Sequence, residues 1–533
     1  MTTPPLAGAH ATLGDAFAAA AVQFGAREAY VDPDERLTFA EWKRRADRLS
    51  AELGGRGVRR GDVVAIMLPS SADFAVAYAA AVQLGAVATG VNTRLGPAEY
   101  AGILERSGAA IVIGNVPEAH IAATDTATAV PVLSRAELRG LYPSPHESDT
   151  DAARADAGAA APFVAPAGLD RSAPALIIWT SGTTGSPKGA WYDHAGLEAA
   201  VWSGGVMSAP FDRRLVATPF AHAGYLAKVW EQLAWGITFV VPPSPWSAAT
   251  TADVLRNEHI TVAGAVPTQW AKLLELPHGE GAPFADLRLG TAATAPASPE
   301  LIESVRRMTG VPLVVRYAMT ESPSISGTDP DEPASIQSST VGRPQPGMQV
   351  RVTDAAGVEI PAGDVGSIRV RGACVMRGYW NDPERTAAAF DDDGWLRTGD
   401  LGLVTPAGHL VLTGRDSEMY IRGGYNVYPL EVERILSGHP LVRHVAVVGT
   451  PAPVIGEIGV AFVVADDDTR PPTLDELRLF VRERLADYKA PDDLVIVPEL
   501  PLTAMLKVDK RALQRRVPAP RSRVGEAAGR GSS

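Results

Sequence analysis

Cysteine is nearly missing from this sequence: among 533 residues only Cys374 carries a thiol. A single thiol excludes an intrachain disulfide and leaves no cysteine cluster to hold zinc, so a reducing cytoplasm is the expected setting. Lysine is scarce as well, with seven residues, Lys43, Lys188, Lys228, Lys272, Lys489, Lys507 and Lys510, against an arginine-rich background. A basic excess is absent, since 61 Asp and Glu outweigh 49 Lys and Arg for a net charge of −12. No nucleic acid is therefore expected as the main partner, because a phosphate footprint needs a basic face. Apolar runs such as Phe74 to Val87 are Ala-rich and fall short of the ~18 uninterrupted apolar residues of a membrane span. A buried helix is expected there, and no membrane partner. Met1 to His10 lack a basic stretch followed by an apolar one, so no secretory signal is expected.

What is present describes a soluble globular chain, 46% apolar and 21% charged, long enough for two to four domains at ~100–200 residues each. Residues 37 to 115 alternate helical patterns with short strand-like runs, Asp62 to Leu68 and Ala110 to Ile113, as βα units around a mostly parallel sheet do. Pro143 to Pro174 is rich in Ala, Pro, Asp, Ser and Gly and reads as an exposed insert. The α/β alternation resumes over 175 to 330, with strands expected at Leu215 to Thr218, Phe239 to Val241 and Val262 to Ala265. Gln349 to Arg371 reads as short strands separated by turns, a small β-rich part. After Arg415 a new α+β unit is expected, with helices near Pro429 to Leu436 and Leu474 to Leu485 and strands at Val445 to Val448 and Val460 to Val464. From Arg515 onward the composition predicts a disordered tail.

The stretch that carries most chemistry is Thr180-Ser181-Gly182-Thr183-Thr184-Gly185-Ser186-Pro187-Lys188-Gly189. It follows an apolar run, Ala175 to Trp179, and packs three glycines, five hydroxyls and one lysine into ten residues. Glycines at 182, 185 and 189 would let backbone N–H groups turn toward one point, hydroxyls add donors, and Lys188 brings a positive charge for phosphate oxygens. The spacing is not that of the common P-loop.

This loop resembles the phosphate-binding signature of the adenylate-forming (AMP-binding) superfamily, the acyl- and aryl-CoA synthetases and their relatives. Further motifs agree in order along nearly the whole chain. Tyr317-Ala318-Met319-Thr320-Glu321 is similar to the family's Tyr-Gly-x-Thr-Glu, Gly394 to Asp400 to its ribose-binding segment, Gly414-Arg415 to its domain junction, and Lys507 stands where it keeps a catalytic lysine. The resemblance implies an α/β architecture: a large N-terminal domain, residues 1–413, of βα-wound sheets with a β-rich part at about 340–413; then a small mobile α+β lid domain, 414–516, and a tail, 517–533.

It also implies an ATP-dependent ligase that makes an acyl-adenylate from a carboxylic acid and passes it to coenzyme A, with Mg2+ at the phosphates. In that reading Thr180, Ser181, Gly182, Thr183, Thr184, Gly185 and Lys188 hold the β- and γ-phosphates. Thr320 and Glu321 serve the α-phosphate and the metal, a hydroxyl beside a hard oxygen ligand. Ala293, Thr294, Ala295 and the ring of Tyr317 border the adenine. Asp400 accepts from the ribose hydroxyls, Arg415 adds a nucleotide contact, and Lys507 stabilises the charge that develops during transfer. His222 borders the acyl site, with Ala223, Gly224, Lys228 and Ala318 around an aromatic or medium-length acyl group. Lys228 either points inward, where an ammonium needs a partner and the substrate would bring an acidic or hydroxyl group, or is a surface lysine on a helix through Tyr225 to Trp230.

Four positions depart from the family pattern, and the last three of them lie in the half that rotates for the second reaction. Ala318 replaces a glycine, Ser417 stands at the hinge in place of a lysine or aspartate, Tyr425 replaces an acidic residue, and Leu506 replaces the glycine before Lys507. Alternative acceptors therefore stay open: a separate carrier protein, an amine, or nitrite activation for diazotising an aryl amine. A homodimer also fits the resemblance.

Overall fold

The computed structural model describes residues 3–115, 130–142, 168, 170–180, 187–277, 283–293, 299–452, 455–503 and 508–517. Two large sheets and a four-stranded one precede a separate α+β unit. Most of the insert read over Pro143 to Pro174 lies outside the described residues, which resume at Gly168 and Asp170; the tail beyond Val517 lies outside them too.

Among the described residues the larger sheet has nine strands, ordered in space Arg343–Pro344, Ser322–Gly327, Leu313–Met319, Leu289–Ala293, Val262–Ala265, Arg213–Leu215, Thr238–Val240, Glu28–Val31 and Arg36–Thr38. Its inner pairs are parallel and its outer ones antiparallel. The second sheet has seven, ordered Gly378–Tyr379, Lys188–Asp193, Pro174–Thr180, Val87–Gly90, Val63–Met67, Ala109–Gly114 and Val132–Leu133. Strands covered on both faces need apolar residues at every position, and Val63–Met67 is buried throughout. The expected helix over Phe74 to Val87 forms as Ala72–Gln83 and is buried on all sides. It stops there because Gly85 turns the chain at φ +76° into the next strand, Val87–Gly90. Its buried Asp73 is tied through Oδ2 to Arg135 at 2.6 Å and Arg139 at 2.9 Å, and Gln83 donates through Nε2 to Ser50 Oγ at 2.6 Å, so each polar side chain of an otherwise apolar helix has at least one partner.

The β-rich part is an antiparallel sheet of Met348–Thr353, Gly366–Gly372, Leu396–Val404 and Leu410–Arg415. After it comes the α+β unit, where the long pair Val442–Ala452 and Gly456–Ala465 alternates its side chains between two covered faces. Val447, Ala461 and Val463 pack with the helices Pro429–Leu436 and Leu474–Arg482, whereas Ala446, Val448, Val460 and Phe462 pack under Leu513 of the helix Lys510–Arg516. This last helix corrects the tail reading: Arg515 and Arg516 are helical because Leu513 anchors their turn. The helix from Leu474 also ends at Arg482, short of the expected Leu485.

Candidate active site

Three strands from two sheets meet through one chain of hydrogen bonds. The Tyr317 hydroxyl, at the end of a strand of the nine-stranded sheet, donates to Asp400 Oδ2 at 2.5 Å, and Arg415 Nε lies 2.9 Å from Asp400 Oδ1. Asp400 and Arg415 are register partners across an antiparallel pair, which sets them on one edge of the β-rich part. The preceding Gly399 has φ +73°, a conformation an L side chain resists, and Thr398 Oγ1 accepts from the Asp400 N–H at 3.0 Å. The Thr-Gly-Asp order is thus what aims this carboxylate. Burial and the neighbouring Asp400 charge push the Tyr317 hydroxyl well above its ordinary range, so it stays a donor. Each Asp400 oxygen has one protein partner among the described residues and keeps a lone pair for a vicinal diol.

A second cluster lies where the two large sheets adjoin. Thr180 and Lys188 are register partners in an antiparallel pair, so the glycine-rich stretch is the connection of a hairpin. Lys188 Nζ sits 5.2 Å from the centroid of the Tyr379 ring, and the Tyr379 hydroxyl donates to Glu321 Oε1 at 2.9 Å. Tyr192 donates to the Thr320 carbonyl at 2.5 Å, and the Met376 N–H donates to the Glu321 carbonyl at 2.9 Å. Lys188 and the adjacent Thr320 and Glu321, 132 and 133 residues further on, are thereby gathered through two tyrosines. Burial and the Glu321 carboxylate raise the Tyr379 pKa out of its usual range.

Sequence reading missed both tyrosines. Tyr379 had a faint signal, the Gly378-Tyr379-Trp380 run; Tyr192 had none. Gly189 also plays a different part from the one expected: it lies in the strand Lys188–Asp193, and a Cβ there would come within 2.7 Å of Ile177 Cγ2 and 3.1 Å of the Trp179 ring. Close packing, not a turn, requires that glycine.

His222 caps the short helix Ala223–Leu226, its Nδ1 accepting from the Gly224 N–H at 3.2 Å. Ala223 is buried in the main core, whereas Gly224 and Ala318 are exposed. Lys228 is not a surface lysine on a continuous helix. The chain breaks between Ala223–Leu226 and Val229–Trp235, and the ammonium, on a side chain 17% exposed, lies 3.0 Å from Glu231 Oε2. Within the chain Lys228 therefore meets Glu231, a carboxylate that it shares with Arg214. Ser417 is exposed in the one-turn helix Asp416–Glu418, which joins the β-rich part to the last unit. Tyr425 stacks on Tyr488 at 4.5 Å between ring centroids. Ser181, Gly182, Thr183, Thr184 and Gly185, with Thr294, Ala295, Leu506 and Lys507, lie outside the described residues; Ala293 ends the strand Leu289–Ala293.

This arrangement can hold a nucleotide: a diol acceptor at Asp400, and a cation, a hydroxyl and a carboxylate for its phosphates. The comparisons agree. The model of the AMP-binding enzyme family matches residues 17–380 and that of its C-terminal domain matches 431–507. The chain belongs to this adenylate-forming family. It is 34% identical to a feruloyl-CoA synthase of an Amycolatopsis species, over 90% of this chain and 94% of the relative. It is 32% identical to a long-chain-fatty-acid–CoA ligase of Mycobacterium tuberculosis, over 92% of this chain and 96% of the relative. The structure of o-succinylbenzoate CoA synthetase from Bacillus subtilis with its acyl-adenylate intermediate matches at a TM-score of 0.80 and 28% identity, covering 96% of this chain and 99% of that one. The chain is accordingly an AMP-forming ligase of the acyl-CoA synthetase type. Among its described residues no helix is long and apolar enough to cross a membrane.

Proposed function

We propose that this ligase joins an aromatic or medium-length carboxylic acid to coenzyme A in two steps. A carboxylate oxygen attacks the α-phosphorus of ATP, the bond to the bridging oxygen breaks, and pyrophosphate leaves. The coenzyme A thiol then attacks the acyl carbonyl of the adenylate, loses its proton, and expels AMP. Both reactants of the first step are anions, so the protein has to neutralise charge and hold the atoms in line.

The observation that carries this reading is the Tyr317–Asp400–Arg415 chain, which sets a carboxylate for the ribose 2′- and 3′-hydroxyls beside an aromatic ring for the base. Lys188 would face the outer phosphates, Thr320 would donate to the α-phosphate, and Lys507 would stabilise the pentavalent phosphorus. Glu321 suits Mg2+, a hard cation commonly bound by one carboxylate plus phosphates and water: Tyr379 occupies Oε1 and leaves Oε2 for the ion. Bound there, the ion would supply Lewis-acid neutralisation of the phosphate charge. His222, tied back to the Gly224 N–H, would border the channel by which the thiol enters. The cytoplasm is the compartment we assign, where the sole, buried thiol of Cys374 stays reduced.

Pyrophosphate exchange into ATP over a panel of acids, with and without coenzyme A, tests this. Acid-dependent exchange, with thioester formed only when coenzyme A is added, is expected. Exchange that yields no thioester would move the acceptor to a carrier protein or an amine. No exchange with any acid would overturn the adenylation reading.

A further inference from the structure

We infer that the acyl site takes a carboxylic acid bearing a second anionic group, a carboxylate or sulfonate, held by Arg316 and Lys228; this rests on the acid-activating reading above.

The argument begins with a charge imbalance. Arg316 precedes Tyr317 on the strand Leu313–Met319, and strand alternation sends its side chain to the face opposite the Tyr317 ring. Its hydrogen-bond partners are all uncharged: Gln345 Oε1 at 2.6 Å, the Ser203 carbonyl at 3.2 Å and Ser324 Oγ at 3.4 Å. Burial lowers its pKa to about 10, the mark of a guanidinium short of a counter-charge. The carboxylate in its electrostatic range is Glu231, which is fully buried and already engaged. Glu231 Oε1 meets Arg214 at 3.0 Å, Oε2 meets Lys228 at 3.0 Å, and Ser208 donates to Oε1. Among the described residues three cations thus share one anion. Positive charge that is largely withdrawn from water and outnumbers its carboxylate partners favours the arrival of an anion.

Position ties this surplus to the reaction site. Ser324, which Arg316 touches, is three residues beyond Glu321 on the strand Ser322–Gly327, and it donates to the same Ser203 carbonyl at 2.8 Å. Cys374 Sγ lies 3.6 Å from the Ser324 carbonyl, and its thiol feels the Lys228 charge. Two residues on, Met376 bonds the Glu321 backbone at 2.9 Å. Arg316 and Lys228 therefore flank a patch directly behind the Thr320–Glu321 turn, and neither is sealed, each remaining partly accessible. An acid that offers one carboxylate to the α-phosphate and points its far end behind that turn would bring its second anion to this patch.

The test uses the wild-type enzyme in pyrophosphate exchange with matched pairs of acids, hexanoate against hexanedioate and phenylacetate against 4-carboxyphenylacetate. The dianionic member is expected to show kcat/KM at least about tenfold higher, since a site built for a polar group discriminates strongly against its absence. Arg316→Met should collapse that ratio through the KM of the dianionic acid, and Arg316→Lys should restore part of it. Lys228→Met, at the other cation, gives a second variant should Arg316→Met not fold. Preference for the monoanionic member of each pair, or an unchanged ratio in folded Arg316→Met, would overturn the proposal. No exchange with either set overturns the adenylation reading and this inference with it, so the two failures look different.

Discussion

The contact between Tyr317 and Asp400 makes one hydroxyl answerable for the aim of the ribose acceptor. Removing it with Tyr317→Phe keeps the ring for adenine but leaves Asp400 Oδ2 without its 2.5 Å donor and free to swing toward Arg415. The expected result is a KM for ATP raised about tenfold, the scale of one hydrogen bond to a charged group, with kcat changed less. Pyrophosphate exchange at varied ATP measures it; an unchanged KM would detach the pair from the nucleotide. Glu321 gives a second prediction at this scale. Because an amide oxygen binds Mg2+ more weakly than a carboxylate, Glu321→Gln should raise the Mg2+ needed for half-maximal exchange about tenfold or more. Tyr379 can still donate to the amide oxygen, so the fold around it is expected to hold.

At the scale of elements, the join between the first helix and the second sheet depends on a neutral histidine. The Leu13 N–H, at the start of the helix Leu13–Gln23, donates to Nδ1 of His194, the first residue of the helix His194–Trp202. Burial lowers the His194 pKa from 6.5 to about 4. A folded-state pKa below the unfolded one means that the unfolded chain binds the proton more readily. The contribution to stability is then full above pH 6.5 and falls as pH drops toward 4. By pH 5 the loss should reach about 2 kcal/mol. Urea midpoints between pH 7.5 and 5 measure it, and His194→Gln, which keeps an acceptor without the titration, should flatten that component.

The elements themselves were largely legible. Val262–Ala265 and Pro429–Leu436 form as their apolar periodicity predicts, and Tyr317, Asp400 and Arg415, which the motifs assign to one nucleotide, touch one another in the structure. Less legible were groups whose meaning comes from distant partners. Tyr192 and Tyr379 look like ordinary core aromatics until their hydroxyls meet Thr320 and Glu321. Lys228 read as ambiguous because its partner, Glu231, lies one helical turn away at a spacing that fits an exposed pair as well as a buried one. Gly189 was read as a turn glycine because crowding by a neighbouring strand leaves no trace in local sequence.

At the scale of the whole molecule, the proposed transfer to coenzyme A would need a rotation between the two halves, absorbed at the junction that joins them. The segment Asp416–Glu418 is the connection, and its two ends are not equally held. Arg415 is paired with Asp400 on the N-terminal side. On the other side Lys510 lies 2.7 Å from Glu418 and 2.8 Å from Glu433, which ties Glu418 to the helices of the last unit. Only Asp416 and Ser417 lie between these anchors, so the φ/ψ change has to fall on them. Ser417→Pro fixes φ near about −65°, a value compatible with the present 3-10 turn, and so removes that dihedral from the rotation. Acid-dependent pyrophosphate exchange is expected to survive, while thioester formation from a supplied acyl-adenylate falls at least about a hundredfold. Equal slowing of both steps in a folded variant would place the hinge elsewhere. Loss of thioester formation alone would show that rotation at Ser417 has to occur before coenzyme A can react.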